Sequence, residues 1–209
     1  MRKRCYNMFK KRKIRRKMQK MKGILLPMVY LLSDDQKEKI EKLATKVRSD
    51  YCLGLSIDVI AFAKDKLGFE VSSMQMESSE ITGMILVDPI NGQREIGINQ
   101  DLGYEKGRFI TSHEIGHYFI ETIENNHTGG VFAFRDNRNR EGTESEASAE
   151  YFAYCFLMPE TYMRSAIKIY NKDDSLKNRF SRTLFVSNLF GVTEDKAEKR
   201  LMQLSLIGR

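Results

Sequence analysis

The run His113-Glu114-Ile115-Gly116-His117 places two histidines four positions apart near the middle of the chain. Residues four apart on an α-helix are rotated by only about 40° from each other, so a helix through this run projects both imidazoles from one face. That arrangement suits a single Zn²⁺, which takes imidazole nitrogens at ~2.0–2.1 Å. The run therefore predicts a helix that carries two ligands of one metal site.

Glu114 follows the first histidine and stands where HExxH metalloproteases carry their general base. The same short pattern also arises by chance in amphipathic helices whose histidines are surface or core residues. The surroundings favour the metal site, because Gly116 leaves room for another backbone and an apolar flank would bury the helix. That flank consists of Ile110, Tyr118, Phe119 and Ile120.

A zinc site with two histidines needs a third protein ligand, and catalysis needs a fourth position open to water. A second helix, predicted from Thr143 to Met158, offers Glu144, Glu146 and Glu150. Glu146 and Glu150 share one face, so one of them can ligate while the other supports the far ring nitrogen of a ligand. Glu144 is rotated by about 160° from Glu146 and is expected to face solvent. Spacing alone leaves Glu146 and Glu150 open.

The positive charge of the chain is concentrated at one end. The 209 residues carry a formal net charge of +7, but residues 1–22 hold twelve Lys or Arg and no acid. The remainder has 23 basic and 28 acidic residues, a net charge of −5. A dense run of like charges repels itself and buries little, so residues 1–32 are predicted to be a disordered basic extension. Residues 33–209, with 41% hydrophobic side chains in the whole chain, suffice for one domain.

Three interpretations of residues 1–22 remain open. The segment is a passive solvated tail, or it is an anchor for nucleic acid or an anionic surface, or it is not made at all because Met21 or Met28 is the true start. The apolar stretch 23–32 is half the ~20 residues needed to cross a bilayer and lacks a signal-peptidase site. Cys5, Cys52 and Cys155 are odd in number and far apart, which favours a reducing compartment. We therefore expect a cytoplasmic protein without a transmembrane segment.

Hydrophobic periodicity and turn residues predict an α+β fold. N-terminal helices are expected from Ser33 to Ser49 and from Ser56 to Leu67, followed by a small β-sheet. Its strands are predicted at 69–76, 80–87 and 94–99, the last two as a hairpin. The active-site helix is expected from Arg108 to Ile123, then a polar loop over 125–142 and a helical C-terminus with Thr193 as an N-cap.

Two segments resemble the signatures of one known family. The stretch from Gly107 to His117, preceded by Ile98-Asn99, looks like the active-site helix and the preceding strand end of the ImmA/IrrE metallopeptidases. The run from Glu146 to Pro159 is similar to the second signature of that family, and the end of the chain, from Leu189 to Thr193 and at Arg200-Leu201, resembles the family's end. The resemblance spans roughly residues 36–206, and the paired signatures are far more specific than HExxH alone.

The resemblance implies a zincin-like metallopeptidase fold with a C-terminal helical subdomain. It also implies zinc ligation by His113, His117 and Glu146, with Glu114 as the catalytic base. The implied substrate is a helix-turn-helix transcriptional repressor, commonly encoded on a mobile genetic element or in a damage-response operon. The sequence departs from the family at Glu150, where an asparagine is common, and at Glu121, where some members have a further histidine.

Two functions other than proteolysis are also consistent with the sequence. A DNA-binding regulator is suggested by the basic arm and by the helix-turn-helix character of residues 189–201, although that segment is not strongly basic. A metal-binding partner of a repressor that acts by contact alone is a second alternative.

For the protease, the residues that could stabilise the oxyanion are Tyr154, Tyr118 and His127. A substrate strand is expected to pair with the edge of the hairpin ending at Asn99.

Overall fold

A computed structural model describes residues 32–88, 90–124, 132–137 and 143–207 of the chain. The described part is α+β and contains eight α-helices and a four-stranded sheet. In chain order the elements are α1 (Asp34–Asp50), α2 (Val59–Asp65), β1 (Glu70–Met74), β2 (Ile81–Asp88), β3 (Gln93–Asn99), α3 (Tyr104–Phe119), a π-helical turn (Ile120–Glu124), β4 (Phe132–Asn137), α4 (Glu144–Leu157), α5 (Glu160–Lys172), α6 (Asp174–Arg179), α7 (Arg182–Phe190) and α8 (Glu194–Gln203).

The predicted start of the first helix is confirmed by its hydrogen bonds. Ser33 is the N-cap of α1, its hydroxyl accepts from the backbone N–H of Gln36, and the Gln36 side chain accepts from the Ser33 N–H. This reciprocal pair satisfies two of the N–H groups that a helix leaves without partners. The second helix begins later than predicted, because Asp58 and not Ser56 caps it.

The sheet has the strand order β1-β3-β2-β4. β2 and β3 form the predicted antiparallel hairpin, and Gly92 in its turn has a φ of 70°, a left-handed conformation that glycine adopts without strain. β1 pairs with β3 in parallel, and β4 pairs with β2 in the antiparallel sense. One side of this sheet is covered by helices, with Ile85 and Ile96 fully buried in the core.

Two expectations from the sequence are wrong. The polar segment 125–142 is not entirely a loop, because it contains β4, which is held by pairing with β2 some 50 residues earlier in the chain. The hairpin has no edge to offer a substrate strand, since β3 lies between β1 and β2, and β2 lies between β3 and β4. Within the described residues the outer strands of the sheet are therefore β1 and β4.

The active-site helix lies in the centre of the molecule. α3 begins at Tyr104, one turn before the predicted start at Arg108, and packs between the sheet and α4. Gly116 permits the close approach of α4, because a Cβ added there would stand 3.0 Å from the Ala149 carbonyl oxygen. In the described part of the chain, no helix combines the length and apolar character required to cross a membrane.

Buried arginines join the C-terminal helices to the rest of the fold. Arg108 of α3 donates to the carbonyls of Ile57, Phe190 and Gly191, and thereby ties the end of α7 to α3. Arg200 of α8 is fully buried, donating to the Met158 carbonyl at the end of α4 and to a carboxylate of α1. These contacts hold the start of α3 and the end of α4, the two helices that carry the candidate site.

Candidate metal centre

Three buried side chains from α3 and α4 converge on one point. His113 Nε2 lies 3.1 Å from Glu146 Oε2 and 3.1 Å from His117 Nε2, and His117 Nε2 lies 3.6 Å from Glu146 Oε2. All three residues are at most 4% exposed. The predicted helix places the two histidines on one face, and α4 brings Glu146 to meet them. Among the described residues these three form a group that could hold a metal ion.

The spacing of these atoms fits a tetrahedral metal ion. Bonds of ~2.0–2.1 Å to zinc imply ligand atoms roughly 3.3–3.4 Å apart along the edges of a tetrahedron. The three observed separations of 3.1, 3.1 and 3.6 Å bracket that value. The donor set of two imidazoles and one carboxylate is one that catalytic zinc sites use. The residues present therefore fit a zinc ion.

The surroundings of His117 and Glu146 suit the roles of ligands. Ser145 Oγ lies 3.5 Å from His117 Nδ1, so a proton on Nδ1 can be donated to Ser145 while the Nε2 lone pair points at the cluster. Glu146 is in the first turn of α4, where Thr143 accepts from its backbone N–H and the helix dipole favours a negative charge. Burial acts to raise the pKa of Glu146, but hydrogen bonds and charge from His113 and His117 lower it to about 2.

Glu150 has a different set of partners. Its Oε1 accepts a hydrogen bond from Lys196 Nζ of α8 at 2.9 Å and one from the Tyr154 hydroxyl at 3.4 Å. Burial acts to raise the pKa of Glu150, but the charge and hydrogen bond of Lys196 lower it overall. Glu150 thus joins α4 to α8, whereas Glu146 enters the metal group. Glu144 is exposed, as the sequence predicted.

Glu114 is fully buried and its carboxylate faces the sheet. Its Oε1 would lie only 2.6 Å from a Cβ added at Gly83 of β2. Glu114 does not belong to the group of metal-ligating atoms, although it neighbours His113 in the chain.

The three candidates for stabilising an oxyanion have different surroundings. Tyr154 is fully buried, packs edge-on against Phe109 and donates to Glu150. Tyr118 packs edge-on against Phe69 and Phe119. These contacts place both tyrosine rings in aromatic packing, and His127 lies outside the described residues. Glu121, where the resemblance notes a departure, is buried in the π-helical turn that follows α3.

Sequence reasoning missed three residues around the site. Ser145 precedes Glu146 directly, so its place beside a ligand could have drawn attention to it. Lys196 is 46 residues away from Glu150, and its pairing leaves no local signal. Gly83 was read only as part of a strand, because nothing in its neighbours in sequence shows which side chain of α3 it faces.

One protein-family model matches about two thirds of the chain. The sequence profile of the peptidase family M78, described as the IrrE N-terminal-like domain, matches residues 64–202, which include α3, α4 and all three residues of the metal group. The chain belongs to this family. Membership in the M78 family supports a function of the peptidase type, and it agrees with the α+β fold.

No curated protein sequence matches the chain. Among solved structures, a Mycobacterium tuberculosis transcriptional regulator aligns with a TM-score of 0.49 and 15% sequence identity. The alignment covers 83% of this chain and 50% of that protein, so the chain spans about half the length of the regulator.

Proposed function

We propose that this chain is a zinc-dependent endopeptidase that cleaves a helix-turn-helix transcriptional repressor and so relieves repression. The observation that carries the proposal is the approach of His113 Nε2, His117 Nε2 and Glu146 Oε2 to within 3.1–3.6 Å, in a member of a peptidase family. The substrate class rests on the resemblance of the two signature segments to ImmA/IrrE metallopeptidases.

In the proposed mechanism each residue has one task. His113, His117 and Glu146 hold the metal, and Ser145 orients the His117 ring through Nδ1. When bound, zinc supplies a Lewis acid that polarises the scissile carbonyl and lowers the pKa of water. Glu114 takes a proton from the attacking water and later delivers it to the leaving amine.

The outer edge of β4 is the strand edge we assign to the substrate. β4 pairs with β2 with Asp136 opposite Gly83, the residue against which the Glu114 carboxylate lies. An extended peptide that added to β4 would run about 5 Å beyond it.

The DNA-binding alternative is disfavoured by the surface of α8. Of its three basic residues, Lys196 pairs with Glu150, and Arg200 is fully buried against Glu41. The acidic Glu194, Asp195 and Glu198 are exposed on the same helix. A recognition helix needs basic side chains available to phosphates and bases, so α8 is poorly suited to that role.

The decisive test separates a protease from a silent partner of a repressor. Glu114→Gln keeps the shape of the side chain and removes no ligand, so the variant should keep its fold and its zinc. Cleavage should fall by about 10²–10⁴-fold, the usual contribution of a general base. The assay is co-expression with a candidate helix-turn-helix repressor, and the length of the repressor is followed on a gel.

Glu105→Gln is the matched control, since Glu105 is an exposed acid on the same helix. It should cleave as the unchanged protein does. Undiminished cleavage by Glu114→Gln would sink the assigned mechanism. If neither the unchanged protein nor Glu114→Gln cuts the repressor, and both relieve repression equally, the non-proteolytic regulator becomes the better explanation.

A further inference from the structure

β2 passes α3 with a glycine at the point of closest approach. A Cβ built at Gly83 would lie 2.5 Å from Ile110 Cγ2 and 2.6 Å from Glu114 Oε1. Real Cβ atoms essentially never come within 3.0 Å of another heavy atom, so any side chain at this position would force one or both neighbours to move. The Glu114 carboxylate therefore occupies space that only glycine leaves open.

This conflict differs from that at the other buried glycine of the sheet. A Cβ at Gly97 of β3 would meet the end of Met74 at 2.9 Å and Met84 Cγ at 3.0 Å. Methionine side chains are unbranched and half-buried here, so they can rotate away at little cost. Glu114 is fully buried between a helix and the sheet, and its carboxylate cannot retreat toward solvent.

The backbone of Gly83 is itself held in place. The register of β2 against β4 shifts between Ile81 and Gly83, which is the signature of a β-bulge. The buried Asn99 side chain donates from Nδ2 to the Ile81 carbonyl at 2.9 Å, and Gly83 pairs with Ile98 on the other side. A strand fixed on both sides cannot move aside for a new methyl group.

We propose that Gly83 is a positioning residue that sets the place of the Glu114 carboxylate. Its catalytic consequence rests on the function proposed above, whereas its structural consequence does not. A general base must come within about 2.6–3.2 Å of the proton that it takes. Because a misplacement of about 1 Å can cost a hundredfold in rate, the width of the gap between β2 and α3 at Gly83 determines how well Glu114 works.

The experiment compares Gly83→Ala with Gly97→Ala, both in a protein that carries Ile110→Ala. The Ile110 change removes Cγ2 and leaves the Glu114 carboxylate as the close neighbour of the new methyl. We expect Gly83→Ala to lower kcat about a hundredfold while KM and zinc content stay the same. Gly97→Ala should leave kcat, KM and zinc content as they are in the Ile110→Ala protein. A kcat for Gly83→Ala equal to that of Gly97→Ala would overturn the proposal.

A second measurement does not depend on activity. The thermal midpoint of unfolding is measured for Gly83→Ala in the Ile110→Ala protein, once with Glu114 present and once in the Glu114→Ala background, so that the carboxylate is the remaining close neighbour. Removing the carboxylate should relieve the conflict, so Gly83→Ala should lower the midpoint by several degrees in the first case and much less in the second. Equal shifts in both backgrounds would overturn the proposal, even if Gly83→Ala alone proves too unstable for kinetics.

The two measurements also separate this proposal from the proposed function. If the unchanged protein cuts no repressor but the unfolding midpoints are coupled, the protease assignment fails and the positioning of Glu114 by Gly83 stands. If cleavage is present and the midpoints shift independently, the assignment stands and the role of Gly83 is lost.

Discussion

Glu146 and Glu150 lie one turn apart on the same face of α4, yet they have different tasks. The two histidines of α3 approach Glu146, and Lys196 of α8 approaches Glu150. A carboxylate already neutralised by a lysine has less charge to offer a metal ion. The partner that each acid meets, and not its spacing in the chain, therefore separates the two.

This division predicts the zinc content of four variants. Purified protein should hold about one Zn²⁺ per chain. His113→Ala, His117→Ala or Glu146→Ala should each lower that content, because each substitution removes a proposed ligand and metal binding is coupled to folding. Glu150→Ala should keep the metal. Elemental analysis settles the matter, with the exposed Glu144→Ala as the control. Full zinc in Glu146→Ala together with loss in Glu150→Ala would transfer the third ligand to Glu150.

At the residue scale, much of the site could be read from the sequence. The spacing of His113, Glu114 and His117 on a helix predicts two convergent ligands and a neighbouring acid, since helix geometry is local. The choice of Glu146 could not be made from spacing, and the resemblance to a family supplied it. Lys196 and Gly83 were beyond reach, because their contacts with the site join segments more than 30 residues apart.

The element scale shows the same limit. Helices with clear caps were predicted well: Ser33 and Thr143 each cap the helix that was expected to follow. β4 was missed because it lies in a segment rich in turn-forming residues and is stabilised by pairing with a strand far away in the chain. The parallel pairing of β1 with β3 has no local signal either, as register is set by the partner strand.

The contact between α3 and α4 supplies the prediction at this scale. A Cβ at Gly116 would meet the Ala149 carbonyl oxygen at 3.0 Å and Phe152 Cδ1 at 3.1 Å, and both belong to the helix that carries Glu146. Gly116→Ala should therefore lower the free energy of unfolding by about 1–3 kcal/mol, the usual cost of overpacking. It should also weaken zinc binding, because α4 must move away from the histidines.

Gly107→Ala is the matched control on the same helix. Its added Cβ would meet only Ile98 Cγ2, at an ordinary 3.8 Å. Since alanine is the better helix former, this variant should gain about 0.5–1 kcal/mol. Urea unfolding with unchanged m-values measures both effects. If the two variants lost equal stability, the close approach of α3 and α4 at Gly116 would not be the cause.

For the whole molecule, the distribution of charge separates two parts of the chain. Twelve basic residues precede residue 23, whereas the rest has a net charge of −5. In the described residues, two of the three basic side chains of α8, Lys196 and Arg200, are paired or buried. Those of α1 alternate with acids in pairs such as Lys39–Asp35 and Lys42–Glu38. We expect attraction to a polyanion to come mainly from the arm, where the positive charge is concentrated; the arm lies outside the described residues.

The last prediction tests this division. A chain that starts at Met21 lacks eleven of the twelve basic residues of the arm. This truncation should abolish any salt-sensitive binding of the full chain to DNA, RNA or anionic vesicles. Such binding gains free energy when clustered basic side chains neutralise phosphates and release counterions, and the truncated chain lacks that cluster. Zinc content and repressor cleavage should be unchanged, since no residue of the metal group is touched. A full-length variant with residues 2–20 in reversed order is the control, and it should bind as before, because the attraction depends on charge and not on sequence.

Titrations over a range of salt concentrations measure the binding of the full chain, the truncated chain and the control. Equal binding by the truncated chain would place the polyanion site in the body of the protein, and mass spectrometry of the protein from its native source would show whether the arm is made.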